Sequence, residues 1–210
     1  MKKGLLMNVT RKEIIRVCRK LDALGFVPAT DGNVSARLDG RSILITPSML
    51  RKGDIRESQL LVTDMVGRVL AGRGKPSSEI KMHLYAYKMR PDVKAIVHAH
   101  PPFATAFAAA GPDLKAPLLP EVVLTVGPVP LARYATPSTE EVPRSMAPLI
   151  KEHQALLLAN HGVLALGRSL EEALQRMERV EHLAKISFLA RSVGRLKYLN
   201  KKQLQGLLDL

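Results

Sequence analysis

Apolar positions change rhythm several times along the chain, and each change predicts an element. After Thr10, which can cap a helix, Ile14, Ile15, Val17, Cys18, Leu21 and Leu24 recur at helical spacing until Gly25. The stretch ATDGNVSARL reads as a loop leading into a hairpin, with Asp39-Gly40 as its turn and RSILITP as its second strand, stopped by Pro47. A strand at residues 60–63, a turn at 64–67 and a further short strand follow. Pro76 with Ser77 and Ser78 opens a helix whose Ile80, Leu84 and Tyr87 share an inward face, and Pro91-Asp92 closes it. Residues 94–98 form the next strand, with His100 at or just past its end, and residues 103–110 are helical by composition. Residues 122–126 and 129–131 read as short strands around Gly127-Pro128. Ser138 or Thr139 caps a helix containing Val142, Met146 and Leu149. Residues 155–159 and 163–166 are buried strands separated by Asn160, His161 and Gly162. The last long helix starts after Ser169, where Glu172 completes a capping box, and KKQLQGLLDL ends the chain as a short helix. Strands and helices interleave, yet several strands are joined by short turns. The pattern predicts an α/β fold whose sheet is not purely parallel.

Composition narrows this picture. A chain of 210 residues with 46% apolar positions is globular and suits one domain spanning 1–210. Its single cysteine, Cys18, excludes an internal disulfide and fits a reducing interior, and it lies on the apolar side of its helix as core packing. The opening MKKGLLMNVTRKEII is too soon interrupted by charge for a signal peptide, and no window reaches the length of a membrane span. A cytoplasmic protein without a membrane partner is the expectation. The net charge of +13 invites a nucleic-acid partner. The basic residues are scattered, however, and four Tyr, four Phe and no Trp are poor material for base stacking. No nucleic-acid partner is expected, and the positive field suits an anionic small molecule equally well.

Candidate chemistry begins at KAIVHAH. Positions i and i+2 of a strand point to one side, so His98 and His100 converge. His161 lies in LLLANHG, between two later strands, and three neutral imidazoles are a common catalytic zinc set. Spacing alone does not bring His161 to the pair, and three unrelated histidines are the competing reading. His83, His153 and His182 sit among charged neighbours and read as surface or packing residues. Three polar turns add a possible anion cradle: Gly32 and Asn33 in DGNVS, Thr46 and Ser48 in ITPSM, and Ser77 and Ser78 at a helix start. Plain turn-making and helix capping are the alternatives for each. Glu79, next to that helix start, is either a capping residue or, near a metal, a ligand or proton acceptor.

The segments GNVSAR, ITPS, KPSSE, HAHPP and NHG, in this order over roughly residues 10–190, resemble the class II aldolase/adducin-like family. The resemblance implies a three-layer αβα sandwich around a largely antiparallel central sheet, and a homotetramer. It implies one Zn2+ per subunit held by His98, His100 and His161. Glu79 is implied as a metal ligand at rest and as the proton-transfer base with substrate. Gly32, Asn33, Ser48, Met49 through its backbone, Ser77 and Ser78 are implied as the phosphate pocket. The implied activity is cleavage of a phosphorylated ketose, of the fuculose-1-phosphate type, into dihydroxyacetone phosphate and an aldehyde through a metal-stabilised enediolate. One position departs from the aldolases. They carry a tyrosine about nineteen residues after the second strand histidine, where this chain reads LLPEVVLT. Glu121 in that stretch resembles the catalytic acid/base of the methylthioribulose-1-phosphate dehydratase branch, and Tyr134 is a more distant stand-in. A sugar-phosphate 4-epimerase is a further alternative, against which Glu79 argues because that branch generally carries aspartate there.

Overall fold

The computed structural model describes residues 2–209. The elements in chain order are α1 (Lys2–Ala23), β1 (Asn33–Arg37), β2 (Ser42–Ile45), β3 (Leu61–Asp64), β4 (Val69–Ala71), α2 (Ile80–Met89), β5 (Ala95–Ala99), α3 (Pro102–Ala110), α4 (Pro120–Thr125), β6 (Leu131–Ala132), α5 (Glu141–Met146), β7 (Ala155–Leu158), β8 (Gly162–Gly167), α6 (Leu170–Val193) and α7 (Lys201–Leu208). The strands form one sheet in the order β4-β3-β2-β1-β5-β8-β7-β6. Every neighbouring pair is antiparallel except β6 with β7.

Strand alternation sorts the core into two layers. Leu44, Val97, Val163, Ala165 and Leu157 point to one face, under α1, α3, α4 and α6. Ile43, Ile45, Ile96, Leu164, Leu166, Leu156 and Leu158 point to the other, under α2 and α5. The result is the expected three-layer αβα sandwich around a mostly antiparallel sheet. In β1, Val34 and Ala36 follow the first layer, so the buried polar pair Asn33 and Ser35 faces α2. In β5, His98 shares the face of Ile96 and sits directly across from Asn33 in the β1–β5 register. That cross-strand pair is the geometric seed of the site.

Most predicted elements are present, with three corrections. α1 begins at Lys2, so Thr10 lies inside the helix and does not cap it. Residues 122–125 are helical, not extended: Pro120 opens α4, Val126 caps its end, and Val122 and Val126, one turn apart, enter the core beneath α6. A short β-branched run carries no period long enough to separate helix from strand, and packing decided it. The strand expected at 129–131 is reduced to β6, with Val129 bridging Leu114 instead. Two helices also start later or stop sooner than expected: α2 begins at Ile80, after Ser77 and Ser78, and α5 ends at Met146, short of Leu149, with Glu140 rather than Ser138 or Thr139 at its N-cap. Ser169 Oγ accepts a hydrogen bond from the Glu172 amide at the start of α6. Cys18 is fully buried, and burial pushes its thiol up to about 12, the behaviour of a packing residue. No helix among the described residues is long and apolar enough to cross a membrane.

Candidate metal centre

His98 is the last but one residue of β5, His100 follows the strand, and His161 sits in the β7–β8 turn. Two local features allow this turn. Asn160 adopts a left-handed conformation with φ of 57°. At Gly162 a β-carbon would stand 2.6 Å from both the Ala99 carbonyl oxygen and His100 Cδ2. Only glycine lets β8 leave the turn this close to the end of β5. The three histidines thereby meet: their ring centroids lie 4.7–5.1 Å apart. One nitrogen from each can be chosen so that all lie within 4.8 Å of one another.

Hydrogen bonds set which nitrogens face inward. His98 Nδ1 lies 2.9 Å from the Val163 carbonyl oxygen, which only accepts, so Nδ1 carries the proton. His100 Nδ1 likewise donates to Asp31 Oδ2 at 3.2 Å. The two Nε2 atoms then face each other at 3.1 Å, so at most one of them carries a proton. A shared cation satisfies that approach: a proton on His98, which Glu79 raises against burial, or a metal that takes the proton's place on imidazoles oriented through their other nitrogens.

Glu79 sits at the start of α2 and completes the group. Its Oε2 is 3.1 Å from His98 Nε2 and its Oε1 is 3.2 Å from His161 Nε2. Asn33 Nδ2 donates to Oε2 at 2.9 Å. Oε1 is buried and has no aligned hydrogen-bond donor among the described residues. Burial opposes the charge on Glu79, but His98, whose own pKa Glu79 raises against burial, outweighs it together with the Asn33 amide and holds the carboxyl well below its ordinary range; a bound metal would replace the proton that this pair shares. Burial and then the neighbouring His98 lower His161 to about 4, so its imidazole is neutral and available as a ligand at neutral pH. The residues present therefore fit a divalent cation of the zinc type: three imidazoles on rigid elements, one carboxylate and an open side.

The open side is a cavity of about 210 Å³. It is lined by Gly32, Asn33, Ser48, Met49, Ser77, Ser78, Glu79, His100 and His161 from the predicted set. Gly32 has φ of 72°, and a β-carbon there would meet Val27 Cγ1 at 2.5 Å, so this turn also requires glycine. Met49 holds a left-handed φ of 60° on the rim. The cradle is already knitted together: the Ser48 amide donates to the Lys75 carbonyl and the Ser77 amide to the Thr46 carbonyl. Glu121 and Tyr134 are both exposed and are absent from the cavity lining.

Several residues of the site were not singled out from the sequence. Lys52 is buried beneath the cavity, where its ammonium donates to the Thr30 and Leu50 carbonyls and ties the two loops that form the walls. Asp31 orients His100, and Pro137 and Ser138 reach the cavity from the segment before α5. Of the two readings of His83, surface or packing, the structure excludes the surface one. It is fully buried, with Ser35 Oγ on Nδ1 and Asn33 Oδ1 on Nε2. The spacing Glu79, His83, Tyr87, one residue per helical turn, was the available signal.

Comparison with known proteins agrees with this geometry. Residues 12–188 match the model of the Class II Aldolase and Adducin N-terminal domain. The chain is 31% identical over 205 residues to a 5-deoxy-D-ribulose 1-phosphate aldolase of Bacillus thuringiensis, covering 97% of this chain and 95% of that protein. It is 34% identical over 183 residues to a 3-oxo-tetronate 4-phosphate decarboxylase of Escherichia coli K12, covering 85% and 86%. The crystal structure of YgbL from Klebsiella pneumoniae superposes with a TM-score of 0.89 at 31% identity, covering 96% of this chain and 98% of that one. With one model spanning most of its length and its fold shared by a relative above 30% identity, the chain belongs to the class II aldolase/adducin family.

Proposed function

We propose that this chain is a zinc-dependent aldolase that cleaves a ketose 1-phosphate into dihydroxyacetone phosphate and an aldehyde. The observation that carries the reading is Glu79: one carboxylate oxygen is tied down and the other is without a donor, beside three converging imidazoles and a polar cavity. His98, His100 and His161 would hold the zinc, with the Glu79 carboxylate beside them. Bound there, zinc would supply a Lewis acid for the substrate carbonyl. Gly32, Asn33, Ser48, Met49, Ser77 and Ser78 bind the phosphate, with Lys52 fixing the loops that carry them. During cleavage the C3–C4 bond breaks, the C4 hydroxyl gives up its proton, and C3 of the dihydroxyacetone phosphate half takes one up. Glu79 Oε1, ionised at rest, would take up a proton and deliver it to C3, matching the one lost from the C4 hydroxyl. One zinc per subunit, a single domain over 1–210, a homotetramer and a cytoplasmic location complete the proposal.

A second reading is decarboxylation of a phosphorylated 3-oxo acid. It is favoured by the exposed position of Glu121 and Tyr134 outside the cavity lining. An aldolase must handle the proton on the departing aldehyde oxygen, whereas loss of carbon dioxide asks only for a proton at the carbon left behind. Relatives carrying the decarboxylase name cover 85% of the chain. Dehydration through Glu121, or 4-epimerisation, has no comparable support within one protomer.

A product assay separates these. The zinc-loaded protein is incubated with fuculose 1-phosphate, 5-deoxyribulose 1-phosphate, methylthioribulose 1-phosphate and 3-oxo-tetronate 4-phosphate. Dihydroxyacetone phosphate from the ketose phosphates is the expected result. Carbon dioxide alone selects the second reading, and loss of water selects the dehydratase. Inertness toward all four with zinc bound overturns the proposal.

A further inference from the structure

Behind Glu79 runs a chain of four buried polar side chains. Tyr87 Oη is 2.8 Å from Ser35 Oγ, and Ser35 Oγ is 2.7 Å from His83 Nδ1. His83 Nε2 meets Asn33 Oδ1, and Asn33 Nδ2 is 2.9 Å from Glu79 Oε2. None of the four is more than 3% exposed. Alternating positions of β1 supply Asn33 and Ser35, and successive turns of α2 supply His83 and Tyr87.

The direction of every hydrogen bond follows from donor and acceptor inventory. An ionised carboxylate only accepts, so Asn33 turns its amino group to Glu79. Asn33 Oδ1 must then accept, which places the proton of His83 on Nε2. A neutral imidazole has a single N–H, so Nδ1 accepts from Ser35. Ser35 has spent its proton, so its oxygen accepts from Tyr87. His83 stays neutral because burial lowers its imidazole to about 3. Burial pushes the Tyr87 phenol upward, which keeps it a donor.

We infer that Tyr87, Ser35 and His83 form a one-way relay that locks the Asn33 amide and thereby holds Glu79 Oε2, leaving Oε1 as the working oxygen. The inference rests on the reading of Glu79 as the proton-moving group. A buried polar chain is costly to assemble unless every member is satisfied, and here it is satisfied in one direction only. That direction ends on the carboxylate that touches His98 and His161. A reversed Asn33 amide would set its oxygen against Oε2 and repel it. Ser35, His83 and Tyr87 are positioning residues, since none of them lines the cavity.

Two measurements test this. Nitrogen-15 NMR of histidine-labelled full-length protein at neutral pH should show His83 as the Nε2–H tautomer. The Nδ1–H tautomer, or an imidazolium, overturns the relay. In parallel, His83→Leu, His83→Gln, Tyr87→Phe and Glu79→Gln are compared for kcat, KM, zinc affinity by chelator competition, and thermal midpoint. His83→Leu should lower kcat or zinc affinity by about 10- to 100-fold, as loss of an outer partner of a metal ligand does. His83→Gln should recover most of that loss, because its amide donates to Asn33 and accepts from Ser35. Tyr87→Phe should fall between them with its midpoint nearly unchanged. Equal losses in the Leu and Gln variants that track their midpoints would reduce the chain to a structural cluster. Should His83→Leu not fold, wild-type kcat and zinc affinity in Tyr87→Phe would overturn the relay by themselves. A fully active Glu79→Gln defeats the reading of Glu79, whereas an inactive Glu79→Gln beside an unimpaired His83→Leu defeats the relay alone.

Discussion

Charge and protonation at single residues decide most of what this site can do. His83 illustrates the sign. Its folded value of about 3 lies below the ordinary 6.5, so between those limits the unfolded chain binds a proton that the folded chain does not. Its contribution to stability is complete above about pH 6.5 and is lost progressively as pH falls toward 3. Thermal melts across that window should fall less steeply for His83→Gln than for the parent, and parallel curves would exclude the effect. His161 carries the complementary test. Metal analysis of the purified protein should give about one zinc per chain, as a catalytic three-histidine site requires. His161→Ala should lose most of that zinc while keeping the fold, and an undiminished zinc content would remove the site.

At the scale of elements, the centre depends on where backbones are allowed to approach. β8 can pass the end of β5 because residue 162 is glycine. Gly162→Ala forces a methyl against the Ala99 carbonyl and the His100 ring, and should destabilise the protein by about 1–3 kcal/mol in denaturant titrations, with weaker zinc binding. α3 starts at Pro102, two residues after His100, and its first amides need partners. Glu181 on α6 provides them, accepting from the Phe103 amide at 3.0 Å and the Ala104 amide at 2.8 Å. Glu181→Ala removes both acceptors and should cost about 0.5–2 kcal/mol of unfolding free energy, the usual range for a lost helix cap. A loss outside that range would mean that Glu181 does something other than capping.

The whole molecule places its reactive groups at one end of a single sheet. Strands β1, β5 and β8 are adjacent, so loops far apart in the chain open on the same cavity. Sedimentation of the zinc-loaded protein should give a particle of four chains of 23.1 kDa each, as proposed. A strictly monomeric protein that still turns over would separate the chemistry from the assembly. Glu121 matters at this scale too. It is exposed on α4, outside the cavity of its own protomer. Its replacement by Gln should leave zinc binding intact in a monomer or an assembly alike, and a loss of turnover limited to the assembled form would assign it to a neighbour's site.

Periodicity by itself determined the elements that are long or sharply bounded. The first helix core, the hairpin that begins at Asn33, the strand that carries His98 and the capped helix after Ser169 all carry patterns whose physical cause is local. The paired His98 and His100 and the isolated His161 were visible as ligand types, because imidazoles among small residues stand out without any fold. Their meeting was not, since it depends on β5 and β8 lying side by side and on the close approach at Gly162. The short run after Pro120 was extended by composition and helical by packing. The surface reading of His83 failed for a similar reason. Its charged sequence neighbours point to solvent, while its own helix face turns toward Asn33 and Ser35. Local sequence specifies what a residue prefers. Burial, hydrogen-bond partners and the charge beside it come from segments remote in the chain, and only the tertiary structure brings those together.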